Sequence, residues 1–312
     1  MTLTAPPAST NLGRVRRLDR AAAEVRFWRN VTIAPAVVVM LALTVAPLVV
    51  LVVMVFHDIN WVGGQAQWRF VGLQHLMELP DDGLFIAGIG NTAIFTLAAV
   101  AAEMVLGFLL AWATSSIGRG RTVYRTIFLM PVLVPGIVIG AIWQLMYNVD
   151  FGIINQALDL LGLPPQDWLG TKRWALASVI VVDIWHWTPF CFLLLLAGLE
   201  SLPVEVHEAA RVDGAGPLSE LRLVTLPLML PTIVVTAIFR LVVAIKVFDE
   251  VFLLTGGGPG TATEVVSFTI FRRFFGENRT GIASAMSIAT LFVVSLVVLL
   301  ALTRLRRRGA EP

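Results

Sequence analysis

From Ile33 to Phe56 the chain runs for 24 residues without one charged side chain. At about 1.5 Å per residue, a helix of that length is roughly 36 Å long, enough to cross about 30 Å of hydrocarbon. Pro35 and Pro47 lie inside the run. Spanning helices tolerate proline because neighbours satisfy the freed carbonyls. Similar runs recur. They predict further spans near Ile86–Thr114, Thr126–Tyr147, Trp174–Gly198, Val224–Ile245 and Gly281–Thr303. The expected fold class is therefore an all-α membrane protein with six transmembrane helices. A transmembrane domain over 31–303 stands between an amino-terminal tail, 1–30, and a carboxyl-terminal tail, 304–312.

Composition points the same way. Hydrophobic residues make up 57% and charged residues 14%, whereas a soluble domain is about half apolar and about a quarter charged. So few charges cannot cover a water-facing surface. A net charge of +2 does not suggest a nucleic-acid binder. Cys191 is the sole cysteine, which rules out an internal disulfide. No Gly-x-x-x-x-Gly-Lys-Ser/Thr loop occurs, so the chain does not read as an ATPase. HExxH, CxxC and Gly-x-Ser-x-Gly are also absent. Four widely separated histidines, His57, His75, His186 and His207, argue against a metal site. A cleaved signal peptide is not expected, because its apolar region is only about 7–15 residues long.

Six crossings put both termini on one side, and basic residues choose the side. One face holds Arg14, Arg16, Arg17, Arg20, Arg26, Arg29, Arg119, Arg121, Arg125, Arg211, Arg222, Arg304, Arg306, Arg307 and Arg308. The other holds Arg69, Lys172, Arg173, Arg272, Arg273 and Arg279. The positive-inside rule assigns the first face, and both termini, to the cytoplasm.

The cytoplasmic loop 200–223 breaks the basic pattern. Glu200, Glu205, Glu208, Asp213 and Glu220 face only Arg211 and Arg222. Mixed charge of this kind suits a protein partner. Ser201 is a good N-cap and Pro203 suits a first helical turn. Val204–Val212 can be helical. Gly214, Gly216 and Pro217 then stop the helix, and Leu218–Leu223 can form a second. By itself this reads more readily as an ordinary amphipathic connector.

The spacing over the whole loop is more specific. Glu208-Ala209-Ala210, three residues, Gly214, nine residues, then Val224-Thr225-Leu226-Pro227 resembles the EAA motif of ABC importer permeases. Isoleucine is the commoner residue there at the place of Val224. A second segment, Phe248-Asp249-Glu250 through Leu254-Thr255-Gly256-Gly257-Gly258-Pro259, resembles the FD…LTGGGP signature of carbohydrate permeases. Thr261–Thr263 and Phe271–Phe275 extend that likeness.

The resemblance implies a type I, MetI-like permease fold in a bacterial cytoplasmic (inner) membrane. It implies a transport subunit with no catalytic residue and no cofactor of its own, ATP and Mg being held by separate ATP-binding subunits. The implied partners are a second permease chain, usually a different one, two ATPase chains and an extracytoplasmic solute-binding protein. Carried onto this sequence, the coupling residues are Glu208, Ala209, Ala210, Asp213 and Gly214. The implied solute is a sugar, disaccharide or polyol. Glycerol phosphate or a non-sugar solute stays open, as does a stand-alone secondary transporter, although no internal repeat is evident.

Charges within lipid cost about 2.5–3.5 kcal/mol each on insertion scales, so they face protein or a water path. Asn91 and Glu103, Asp183 and His186, and Arg240 occupy predicted spans two, four and five, with Lys246 just past the fifth. At helical spacing Lys246 can reach Asp249 and Glu250. These groups are either ion pairs that hold the bundle or parts of a solute path. Trp185-His186-Trp187-Thr188-Pro189-Phe190 joins aromatic faces to polar groups, as a sugar ring requires, or forms an interfacial tryptophan belt. Similarity to maltose permeases implies a substrate pathway through His186, Trp187, Phe190, Arg240, Val243, Ala244, Val247 and Asp249. Glu264–Phe275 reads as a surface helix with Arg272 and Arg273 reaching water.

Overall fold

A computed structural model describes residues 9–115 and 121–308. Arg119 and the extreme ends, 1–8 and 309–312, lie outside them. The chain divides into two compact units, 1–54 and 55–312. The described residues of the first belong to one helix, α1, Ser9–Val55. It begins inside the stretch expected as a tail. Apolar side chains along it, among them Val38, Met40, Leu43 and Val49, are exposed, as a helix solvated by lipid requires.

The second unit begins with a hairpin, β1 (His57–Val62) and β2 (Gln65–Phe70), paired antiparallel from His57↔Phe70 to Val62↔Gln65. Its turn residues, Gly63 and Gly64, have φ of 58° and 79°. Two consecutive positive φ values define the I′ turn that matches strand twist, and glycine adopts them without a steric cost. A short helix α2, Gln74–Glu78, follows.

Three long helices cross next to one another in the bundle: α3 (Gly83–Ser115), α7 (Ala175–Glu200) and α10 (Leu226–Ile245). A fourth, α13 (Thr280–Arg308), completes it. With α1, five helices among the described residues are long and apolar enough to cross a membrane. The predicted third span is interrupted. It divides into α4 (Arg121–Leu129), a 3₁₀ turn at Pro131–Leu133 and α5 (Gly136–Met146). Two prolines explain the break. Pro131 cannot continue α4, and Pro135 pushes Val134 to an extended ψ of 129°.

α5 is backed by α11, Asp249–Leu254, a short helix that follows a break after α10. Gly136 and Gly140 permit the approach. A Cβ on Gly140 would lie 2.6 Å from Leu253 Cδ1. Small residues four apart let helices meet closely where no hydrophobic effect drives them together. The break at Lys246–Phe248 also separates Lys246 from Asp249 and Glu250. Lys246 is exposed and pairs with neither, so the helical spacing expected there does not exist.

α3 and α7 approach closely at Gly107. A Cβ there would sit 2.8 Å from Cys191 Cβ and 2.9 Å from the Phe192 backbone nitrogen. Backbone cannot yield as a side-chain tip can. Phe95, Val179 and Val182 pack above this point, and Phe192, Leu195 and Met229 pack below it. Gly107→Val is therefore expected to remove most folded protein, with overpacking costs of about 1–3 kcal/mol or more. Detergent-extracted yield and a monodisperse elution peak measure this; wild-type yield would contradict it.

The remaining elements are α6 (Ile153–Leu160), α8 (Val204–Val212), α9 (Pro217–Glu220) and α12 (Val266–Phe271). Connections alternate between the two ends of the bundle. The α8–α9 loop is therefore at one end. The hairpin, α6 and the Leu254–Val265 loop are at the other.

Candidate functional site

The α8–α9 loop forms the bend that its residues predict. α8 covers the expected Val204–Val212. It closes with two backbone bonds, Gly214 N to Arg211 O (3.1 Å) and Ala215 N to Ala210 O (2.9 Å). This pair is the Schellman closure, and it places a left-handed residue next to the helix end. Gly214 supplies that residue with φ +83°. The expected cap differs. Pro203 occupies the N-cap position of α8, while Ser201 Oγ donates to Gly198 O (2.7 Å) and so closes α7. The second helix is shorter than expected, ending at Glu220, and a wide turn over Leu221–Thr225 leads into α10.

Glu220 braces the bend. Its Oε1 lies 2.7 Å from His207 Nδ1, and its Oε2 accepts from Arg211 Nε at 3.3 Å. Arg125 of α4 pairs with Glu200 at the end of α7. Of the motif residues, Glu208, Ala209, Asp213 and Gly214 are exposed and Ala210 is half-buried. Large apolar side chains beside them stand open, with Val212 87% and Leu223 74% exposed. The loop is rigid inside and presents a small-residue, mixed-charge outer face.

A second centre lies within the spans. Arg240 of α10 is completely buried. Its Nε is 2.5 Å from Glu103 Oε2 of α3, and its Nη2 donates to Glu103 Oε1 at 2.9 Å. The same guanidinium pairs with Asp183 of α7. Trp187 lays its ring 4.9 Å from the guanidinium carbon. Beside this triad, His186 Nδ1 and Glu250 Oε1 are 3.3 Å apart, both buried. Glu103, Asp183, His186 and Arg240, from predicted spans two, four and five, are thus gathered into one place, whereas Asn91 of the second span lies apart from them.

The pathway residues divide accordingly. His186, Trp187 and Arg240 meet at this centre. Phe190 stacks on Phe239 at 4.9 Å, and Val243 is half-buried. Ala244 and Val247 are closed within the core, while Asp249 is exposed next to Gly136. Glu103 and Asp183, outside the pathway set but candidates for ion pairs that hold the bundle, both pair with Arg240. Their signal was available. Each of the three charges interrupts an apolar span 12 to 17 residues from the α8–α9 end.

At the opposite end the Thr255–Pro259 loop is anchored from inside. Thr263 Oγ1 donates to Gly258 O and meets Thr255 Oγ1, both at 2.7 Å. Asn91 donates to Thr261 O and Glu264 O, tying the loop to α3. Glu264 is fully buried. Burial raises its carboxyl above the ordinary value, against the pull of Thr269 and Arg272. Arg272 pairs with Glu264, while Arg273 pairs with Asp82 (2.6 Å) and Glu277 (2.5 Å). The pair expected to reach water is instead half-buried and engaged, because buried carboxylates must be paired.

Comparison with known proteins agrees with this geometry. Residues 103–308 match the family described as binding-protein-dependent transport system inner membrane component. The trehalose/maltose transport system permease protein MalF of Thermococcus litoralis is 39% identical over 240 residues, 76% of this chain and 81% of the relative. The multiple sugar-binding transport system permease protein MsmF of Streptococcus mutans is 32% identical over 77% of this chain and 83% of the relative. A chain of a bacterial ABC transporter involved in import of the acidic polysaccharide alginate superposes with a TM-score of 0.81 at 25% identity. That match covers 95% of this chain and 100% of the other. The chain belongs to the binding-protein-dependent transport system inner membrane components and is a MetI-like permease of an ABC importer, a transport subunit rather than an enzyme.

Proposed function

We propose that this permease imports a sugar, disaccharide or polyol delivered by an extracytoplasmic binding protein. The α8–α9 bend is then the handle by which ATPase subunits drive it. The observation that carries the reading is the bend itself. A Schellman closure, a left-handed Gly214 and the Glu220 brace make a stiff lever, and its outer face of Glu208, Ala209 and Asp213 is exposed to a partner, with Ala210 half-buried beside it. The exposed Val212 and Leu223 fit the same role, since open apolar side chains on a polar loop suit a protein contact.

In this mechanism the chain breaks no covalent bond. ATP and Mg belong to two partner ATPase chains. Closure of those chains pushes the lever, and α7 and α10, which flank it, rock against α3. Alternating access follows, with the solute path open first outward and then inward. Both termini lie in the cytoplasm, as the arginine distribution favours. A second, different permease chain completes the pathway across the exposed faces of the spans.

The saccharide class rests on the FD…LTGGGP segment and on the sugar systems named for several relatives. Reconstitution of the complete importer with its binding protein tests it. A panel of neutral mono- to tetrasaccharides and polyols should contain at least one solute that raises ATP hydrolysis severalfold. If amino acids or peptides raise it and no panel member does, the class is wrong.

A further inference from the structure

The end of the bundle opposite the lever holds an open hollow of about 450 Å³. Pockets for small molecules run from about 300 to 1,000 Å³. Three walls meet there: the end of α5 with Tyr147 and Asn148, the segment before α7 with Asp167 and Leu169, and the Thr255–Pro259 loop. None of the pathway residues named above lines it.

The walls are held stiffly from behind. Tyr147 donates its hydroxyl to Ser178 O at 3.2 Å and lies between Trp143 and Trp168, with ring centres 5.4 and 6.0 Å away. Trp168 donates Nε1 to Asn155 Oδ1 at 2.9 Å, and the Asn155 amide donates to Gln166 O. Ser178 Oγ donates to Trp168 O. These bonds fix the floor before any ligand arrives, which limits the ordering cost of binding.

The rim keeps polar groups unspent. Asn148 Oδ1 accepts from Asp150 N and Phe151 N, which locks the side chain and leaves its NH₂ for a ligand. Asp167 Oδ1 accepts from Gly170 N, leaving Oδ2 as an acceptor. Gln144 is exposed on the same rim. Two amides, one carboxylate and an apolar floor of Tyr147, Leu169 and Leu254 suit a ring with hydroxyl edges and C–H faces. Among the described lining residues the one charged side chain is Asp167, which disfavours an anionic sugar in contact with it; Lys172 stands outside the lining, beside Gly260.

We propose that this hollow is an outer binding subsite for a neutral saccharide, occupied between release from the binding protein and entry into the spans. The inference rests on the sugar-importer reading. It adds a second station and a selection against acidic sugars, in contrast to the alginate system that shares the fold.

Val149→Cys in a Cys191→Ser background gives a single thiol on the rim without touching either amide. In the assembled importer without binding protein, its conversion to a mixed disulfide by a membrane-impermeant methanethiosulfonate, with methanesulfinate leaving, is timed against the neutral saccharide panel and against glucuronic-acid oligosaccharides. At saturating concentration the transported saccharide should slow labelling about tenfold, and acidic oligosaccharides should leave it unchanged. Adding Asn148→Asp keeps the oxygen that the turn needs, removes the free donor and should abolish protection. Equal labelling rates with and without every saccharide, in an importer that still takes up one of them, would overturn the subsite alone. Uptake of no saccharide would overturn the sugar reading and the subsite together. Protection by acidic oligosaccharides equal to that by neutral ones would refute the selection.

Discussion

Arg240→Met is expected to remove nearly all folded, membrane-extracted protein. The substitution keeps the volume but leaves Glu103 and Asp183 buried against each other with no cation. Losing one partner of a buried ion pair costs about 3–5 kcal/mol, a large part of what a typical domain has to spare. The companion variant separates charge from packing. Arg240→Met with Glu103→Gln and Asp183→Asn removes all three charges and should recover much of the extracted yield. Thermal unfolding followed by tryptophan emission measures both variants. If Arg240→Met melts within a degree or two of wild type, the triad is not what holds α3, α7 and α10 together.

Variants at the lever should behave in the opposite way. Gly214→Leu forces a left-handed backbone on a β-substituted residue, at a cost of about 1–2 kcal/mol. The surrounding space is open, with nothing within 4 Å of an added Cβ, so the damage stays in the bend. Glu208→Lys reverses an exposed charge and disturbs no packing. Both proteins should insert and extract normally. Uptake should fall at least about tenfold, equivalent to about 1.4 kcal/mol lost from the coupled step, while the ATPase subunits keep hydrolysing. Wild-type uptake in both variants would contradict the lever.

The contrast between these two sites reflects what the sequence can carry. The lever is local. Helix propensity, a stop at Gly214 and Pro217, and a fixed motif spacing lie within one short stretch, so its first helix was legible to the residue. Details of capping were not, because Ser201 had a competing acceptor, Gly198 O, on the preceding helix. The long spans were legible from hydrophobic runs alone. The third reads as continuous to hydropathy, which ignores backbone geometry; Pro131 and Pro135 carry the information that breaks it. The Gly63–Gly64 turn was likewise a readable hairpin signal between two short strands.

The buried centre is non-local, and there the sequence says less. Glu103, Asp183 and Arg240 each stand out within apolar runs, but 57 to 137 residues separate the partners that pair. Similarity to maltose permeases favours Arg240 as a solute contact. The geometry shows it fully enclosed by two carboxylates and an indole ring. Solute contact at Arg240 would therefore require this triad to open during transport. The same reasoning explains Arg272 and Arg273, whose partners Glu264 and Asp82 no spacing rule would have selected.

Cysteine crosslinking at the lever tests the central claim most directly. Ala209→Cys in a Cys191→Ser background places one thiol on the exposed face of α8. In the purified importer, a short bifunctional maleimide should join it to the ATPase subunit bearing an introduced surface cysteine, with a yield that changes between the nucleotide-free and ATP-bound states. Absence of any such product, together with labelling of the same thiol by an impermeant reagent added outside intact cells, would contradict the account.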